Sequence, residues 1–215
     1  MKGKHVALLI AAIIIADQAL KFYVKLNFYY QQSKPVLGNW FYLDFVENQG
    51  MAWGWEIGGT WGKMLLTLFR LVAVIWGVFL LKDFIRKKYH KGFIVCAALI
   101  FTGALGNLID SMFYGLIFEA TNPATQLPAK LTTFGHGYGK FFHGSVVDML
   151  HFPLFHGVFP SWFPVWGGES FEFFSFVFNI ADASISIGVI ALLIFQNKFF
   201  KTIEPKPEKQ KTVIQ

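Results

Sequence analysis

Cysteine is nearly absent from this chain: its 215 residues contain one, Cys96. A lone thiol excludes an intrachain disulfide and leaves no cysteine set for a structural zinc; Cys96 reads as a small apolar residue within a span. Charge is scarce as well. Only 15% of the residues are Asp, Glu, Lys or Arg, whereas 54% are hydrophobic and the mean hydropathy is +0.46. That balance argues against an ordinary soluble domain and for a polytopic membrane protein. No internal repeat is evident.

What is abundant is apolar sequence in long runs. Four segments reach the roughly twenty residues that a transmembrane helix needs: about 6–25, 63–81, 92–113 and 174–196. Lys2 and Lys4 precede the first run as they would in a cleaved signal peptide. The run is too long for that, and Asp17 sits at its polar end with no small-x-small cleavage site, so it is read as a retained span. The fold expected is an all-α membrane protein with four transmembrane helices. It would carry a small extracytoplasmic β-rich element and a long outer loop.

A formal net charge of +6 invites a nucleic-acid reading, but the basic residues follow topology instead. They gather at Lys2 and Lys4, at Lys82, Arg86, Lys87, Lys88 and Lys91, and in the tail at Lys198, Lys201, Lys206, Lys209 and Lys211. The positive-inside rule then makes both termini and the 82–91 loop cytoplasmic and turns loops 26–62 and 114–173 outward. No nucleic-acid partner is expected. Residues 1–197 form one membrane domain in this reading, and the Lys/Glu/Pro-rich stretch 198–215 is a disordered cytoplasmic tail.

In the first outer loop, Trp40–Val46 partly alternates apolar and polar residues, which predicts short strands. The second is rich in Pro, Gly and aromatics (FPLFHGVFPSWFPVWGG) and is expected at the outer membrane surface without regular structure.

Ionisable groups inside apolar spans are expensive and mark functional sites. Asp17 and Lys21 lie in the first span, Arg70 in the second, Asp110 near the outer end of the third, and Asn179 with Asp182 in the fourth. At 1.5 Å per residue, Asp17, Arg70 and Asp182 each fall roughly 12 Å inside their spans, on the outer side. They converge in the outer leaflet and do not line a path across the membrane. Asp17 and Lys21, four apart, can pair on one helix face.

Five motifs run in order: DQALK (Asp17–Lys21), ENQGMAWG (Glu47–Gly54), GALGNLID (Gly103–Asp110), VVDMLHF (Val146–Phe152) and FNIADASISIG (Phe178–Gly188). Each alone is weak. In this order on a four-span chain they resemble the lipoprotein signal peptidases (signal peptidase II), aspartic proteases of the bacterial inner membrane. The resemblance implies that Asp148 and Asp182 are the catalytic pair, with Asp110 the alternative partner of Asp182. It assigns substrate contact to Asn48 and Gly50, and Asp110, Asn107 and Asn179 are expected to orient the site. Asp17 and Lys21 either pair structurally or bind the lipid-bearing end of the substrate.

The activity implied is removal of the signal peptide from prolipoproteins just before a diacylglyceryl-modified cysteine, at the periplasmic face and without a cofactor. Lipidated prolipoproteins and membrane lipid would be the partners of a monomeric enzyme. The runner-up is a proton-coupled transporter, which needs polar groups through the inner half of the spans, where they are scarce. A non-catalytic membrane scaffold would leave the carboxylates unexplained.

Two departures from the family pattern stand out. The family's arginine after the GNxxD aspartate is here Ser111, and Arg70 is expected to take its role, with an ion pair to Asp17 as the competing reading. The stretches between Asp110, Asp148 and Asp182 are also long and carry His136, His143, His151 and His156. Their spacing fits no standard zinc motif, so no metal is expected.

Overall fold

The computed structural model describes residues 1–49 and 59–200. Among these residues, four helices are long and apolar enough to cross a membrane. They are α1 (Gly3–Asn27), α2 (Gly59–Arg86), α3 (Lys91–Ile117) and α4 (Ile180–Phe200). A four-stranded antiparallel sheet of order β1-β2-β3-β6 is built from Ser33–Leu37, Phe41–Asn48, Val146–His151 and Val177–Phe178. A separate hairpin pairs β4 (Phe155–Val158) with β5 (Ser170–Phe173).

Three of the spans fall where apolar length predicts them. The fourth begins six residues later than expected, because Val177 and Phe178 pair with His151 and Leu150 of β3 before the helix starts. Asp182 is therefore in the first turn of α4, not roughly 12 Å inside a span. The second loop is also more ordered than its composition predicts, since it supplies β3, β4 and β5.

Helix α3 packs against α4 backbone to backbone. A Cβ at Gly103 would collide with the carbonyl oxygen of Ala181, and one at Gly188 would come within 2.8 Å of the Cys96 carbonyl. Small residues permit such approach between membrane helices, where dispersion and hydrogen bonds must supply the association energy. Val24, Phe28, Phe45, Tyr114, Phe118, Val147 and Met149 form an apolar cluster between the sheet and the ends of α1 and α3. Val6, Leu81, Ile94 and Ala98 form another toward the opposite end of the bundle. The outward faces of the spans stay apolar and open, as at Phe69, Phe79, Ile190 and Leu193.

Candidate functional site

Local chain chemistry sets Asp182 in place. Asn179 precedes α4, and its side-chain oxygen accepts from the Asp182 N–H at 2.8 Å. The Asn179 N–H in turn points at Asp182 Oδ2 at 3.4 Å. This reciprocal arrangement is a capping box with asparagine as the cap and aspartate at the third helical position. It leaves Asp182 Oδ1 to accept from Asn107 Nδ2 of α3 at 2.7 Å.

The same asparagine reaches the sheet. Asn179 Nδ2 donates to Asp148 Oδ1 at 2.7 Å and lies 3.1 Å from Asn107 Oδ1. Strand β3 is buried, and Asp148 is only 4% exposed. Burial first, and then the neighbouring charge of Asp182, push the Asp148 carboxyl up to about 7. Hydrogen bonds from Asn179 and from Asn48 of β2 act the other way. The two carboxyls thus share one asparagine, and the charge of Asp182 bears on Asp148.

Asp17 and Asp110 are more deeply buried and already paired. Lys21 Nζ sits 2.9 Å from Asp17 Oδ2, 2.8 Å from Asp110 Oδ2 and 3.1 Å from Asn107 Oδ1, which occupies its three donors. Asp110 also accepts from Gln18 Nε2 at 2.8 Å and from the Val147 N–H at 3.3 Å. Asp17 takes the Ala181 N–H at 2.9 Å. Lys21, Asp17 and Asp110 are at most 1% exposed. The predicted helix-face pair of Asp17 and Lys21 is present, and with Asp110 it makes a buried triad that ties α1 to α3.

Arg70 of α2 donates to Ser111 Oγ at 3.1 Å, and that hydroxyl donates to the Asn107 carbonyl at 2.9 Å. Among the described residues Arg70 makes no salt bridge, and the expected alternative partner Asp17 is held by Lys21 instead. The negative charges that Arg70 feels most are those of Asp182, Asp110 and Asp148. Asn48, Lys63, Thr67, Arg70 and Ser111 line a shallow hollow beside the sheet.

Gly50 lies outside the described residues, as do 201–215 of the expected tail. Among the described residues the histidines do not gather into a metal-binding group. His151 Nδ1 meets Asp44 Oδ2 at 2.8 Å and His143 Nδ1 meets the Phe141 carbonyl at 2.9 Å. Two site neighbours escaped the sequence reading. Gln18 stands inside a quoted motif, and Lys25 continues the Asp17, Lys21 spacing by four, which is the signal that places it on the same face.

A signal peptidase (SPase) II family model matches residues 9–198. Over 194 residues the chain is 48% identical to a lipoprotein signal peptidase of Porphyromonas gingivalis, covering 90% of this chain and 83% of that one. Another, from Amoebophilus asiaticus, is 33% identical over 184 residues, covering 84% of this chain and 72% of the other. A bacterial membrane enzyme solved by the in meso method shares the fold with a TM-score of 0.58 and 23% identity, covering 96% of each chain.

Proposed function

The chain belongs to the signal peptidase II family, a bacterial membrane protease that takes signal peptides from prolipoproteins, and from that premise we propose that Asp148 and Asp182 are its catalytic dyad. One observation carries the assignment. Asn179 contacts both carboxyls, that of Asp148 through its side-chain nitrogen and that of Asp182 through its backbone N–H, whereas Asp17 and Asp110 both pair with Lys21. Asp110 is already engaged by Lys21, Gln18 and the Val147 N–H, which favours Asp148 as the partner.

In this reading Asp148 carries the shared proton at neutral pH and below, as its burial favours. Asp182 takes a proton from a water whose oxygen attacks the scissile carbonyl carbon. Asp148 donates its proton to the carbonyl oxygen, and the tetrahedral intermediate collapses as the leaving amine gains a proton. The dyad stands where the first turn of α4 meets the sheet, so the sheet end of the bundle is the outer face and both termini are cytoplasmic. Residues 1–197 act as a single membrane domain followed by the tail, and one copy suffices. The substrate's diacylglyceryl group lies in the outer leaflet and presents the bond at that depth. Asn48 and Gly50 contact the substrate backbone.

Activity should survive EDTA and resist serine- and cysteine-directed covalent inhibitors. The singly protonated dyad is the active form, so kcat/KM should fall as pH rises through about 7, where Asp148 loses its proton. Loss of activity on zinc removal, restored by zinc, would revive a metal reading. A flat profile from pH 6 to 9 would remove Asp148 as the proton holder.

Arg70 is assigned the role of the family's missing arginine. Its guanidinium already rests on the side chain of residue 111, so it reaches the space that an arginine there would fill. From that point it can brace a carboxylate or hold a substrate carbonyl with a fixed fork that lysine lacks. Arg70→Lys should fold and cleave about tenfold or more slowly, by analogy with loss of one transition-state donor. Adding Ser111→Arg should restore part of the rate. Wild-type cleavage by Arg70→Lys, or no rescue in a folded double variant, would defeat the substitution.

A further inference from the structure

Lys25 carries a buried charge that neither the dyad nor the Lys21 triad uses. Lys25 is fully buried, one turn beyond Lys21 on α1. Its ammonium ion-pairs with Glu47 of β2 and stands 5.5, 5.0 and 5.2 Å from the ring centres of Phe45, Phe118 and Tyr138. Thr121, beyond the end of α3, donates a second hydrogen bond to Glu47. The Tyr138 hydroxyl, on a wall of the same box, accepts from the Ser145 N–H at 2.6 Å, one residue before β3. A buried ion pair rarely adds stability beyond what apolar residues of the same volume would supply, and its best-attested use is to fix register.

Register matters at this place. Glu47 pairs with Val147, Asn48 with Val146 and Val46 with Asp148. Side chains alternate across a strand, so Phe45 and Glu47 face the lysine box while Asn48 and Asp148 share the opposite face. A slip of one residue would reverse both sets. Asn48 is the last residue of β2, where a strand is otherwise free to fray.

We propose that Lys25, Glu47 and Thr121 form a positioning clamp behind the sheet, which pins the end of β2 so that Asn48 is held against Asp148. The clamp touches neither substrate nor dyad and acts through Asn48. Its effect is on the rate of the chemical step and, because Asn48 also meets the substrate in the reading above, on substrate binding as well. The inference rests on the dyad reading above.

The groups that surround Asp148 define what its titration reports: Asp182 and Asn179 at α4, Lys21 of α1, Asn48 of β2 and the more distant Arg70 of α2. Of these, the clamp moves only Asn48. The Asn48 hydrogen bond favours ionised Asp148, so loosening it should shift the alkaline limb of the pH profile upward.

The test measures cleavage of a lipidated prolipoprotein by the full chain in lipid nanodiscs. Glu47→Gln should lower kcat by about ten- to a hundredfold, as a small misplacement of a positioned group does, and raise KM because Asn48 also meets the substrate. Its alkaline limb should move to higher pH. In an Asn48→Ala background, Glu47→Gln should have no further effect on kcat, because both changes act at one point. Wild-type kcat and pH profile in folded Glu47→Gln would overturn the clamp, and so would additive losses in the double variant. If Glu47→Gln does not fold, Thr121→Val decides. It removes one donor from a partly exposed loop residue and should give a smaller fall in kcat with the same alkaline shift, and an unchanged profile overturns the proposal. Asp148→Asn separates the two readings: an active Asp148→Asn enzyme removes the dyad and the clamp together, whereas an inactive one beside an unaltered Glu47→Gln removes the clamp alone.

Discussion

Asp148→Asn and Asp182→Asn are each expected to abolish prolipoprotein cleavage, by about ten-thousandfold or more, in a protein that still folds and inserts. Each substitution keeps the shape of the side chain and most of its hydrogen bonds. What it removes is the ability to take or give a proton. On the proposed dyad reading the two residues act as a unit, so the double variant should be about as inactive as either single one. Near-normal turnover in Asp148→Asn, together with none in Asp110→Asn, would move the pair to Asp110 and Asp182.

The same substitution should stabilise the fold at neutral and alkaline pH. Asp148 holds its proton up to about 7 in the folded protein, whereas in the unfolded chain it ionises in the ordinary carboxylate range. The folded state therefore binds more protons between those limits, and stability drops as pH rises through about 7. Asp148→Asn removes that loss. Thermal unfolding in detergent should show a smaller fall from pH 5 to 8 for the variant than for wild type. An equal fall in both proteins would contradict the buried-proton account.

The second large effect is expected at Lys21. Lys21→Met keeps the length of the side chain and leaves Asp17 and Asp110 buried together with no cation between them. Removing one partner from a buried ionic group destabilises by about 3–5 kcal/mol. For a chain of this size that corresponds to a melting temperature lowered by about 10 °C. Most of the variant should be lost before purification. The triple change Asp17→Asn, Lys21→Met and Asp110→Asn removes all three charges and should recover much of the folded protein. A Lys21→Met protein as stable as wild type would mean that water or another cation reaches the triad.

Much of this protein was legible along the chain, because the properties concerned are local. Span existence depends on apolar length alone, and α1, α2 and α3 fall where that length places them. Asp17 and Lys21 pair because residues four apart on a helix are neighbours. Motif order was sufficient to name the family. Other features depend on which segments meet. Val177 and Phe178 read as the start of a span, since an apolar residue in a strand looks like one in a helix. Only pairing with β3 ends that run and brings Asp182 to the first turn of α4. Asp148 reads as a loop carboxylate apart from its motif, and its raised proton affinity arises from burial beneath residues distant in sequence. Lys21 serves Asp110 as well as Asp17 because close packing of α1 on α3 buries both acids beside its ammonium. Arg70 meets Ser111 and Lys25 meets Glu47 for the same reason: a buried polar group must find its partner in the protein, and which partner is within reach is settled by packing, not by spacing.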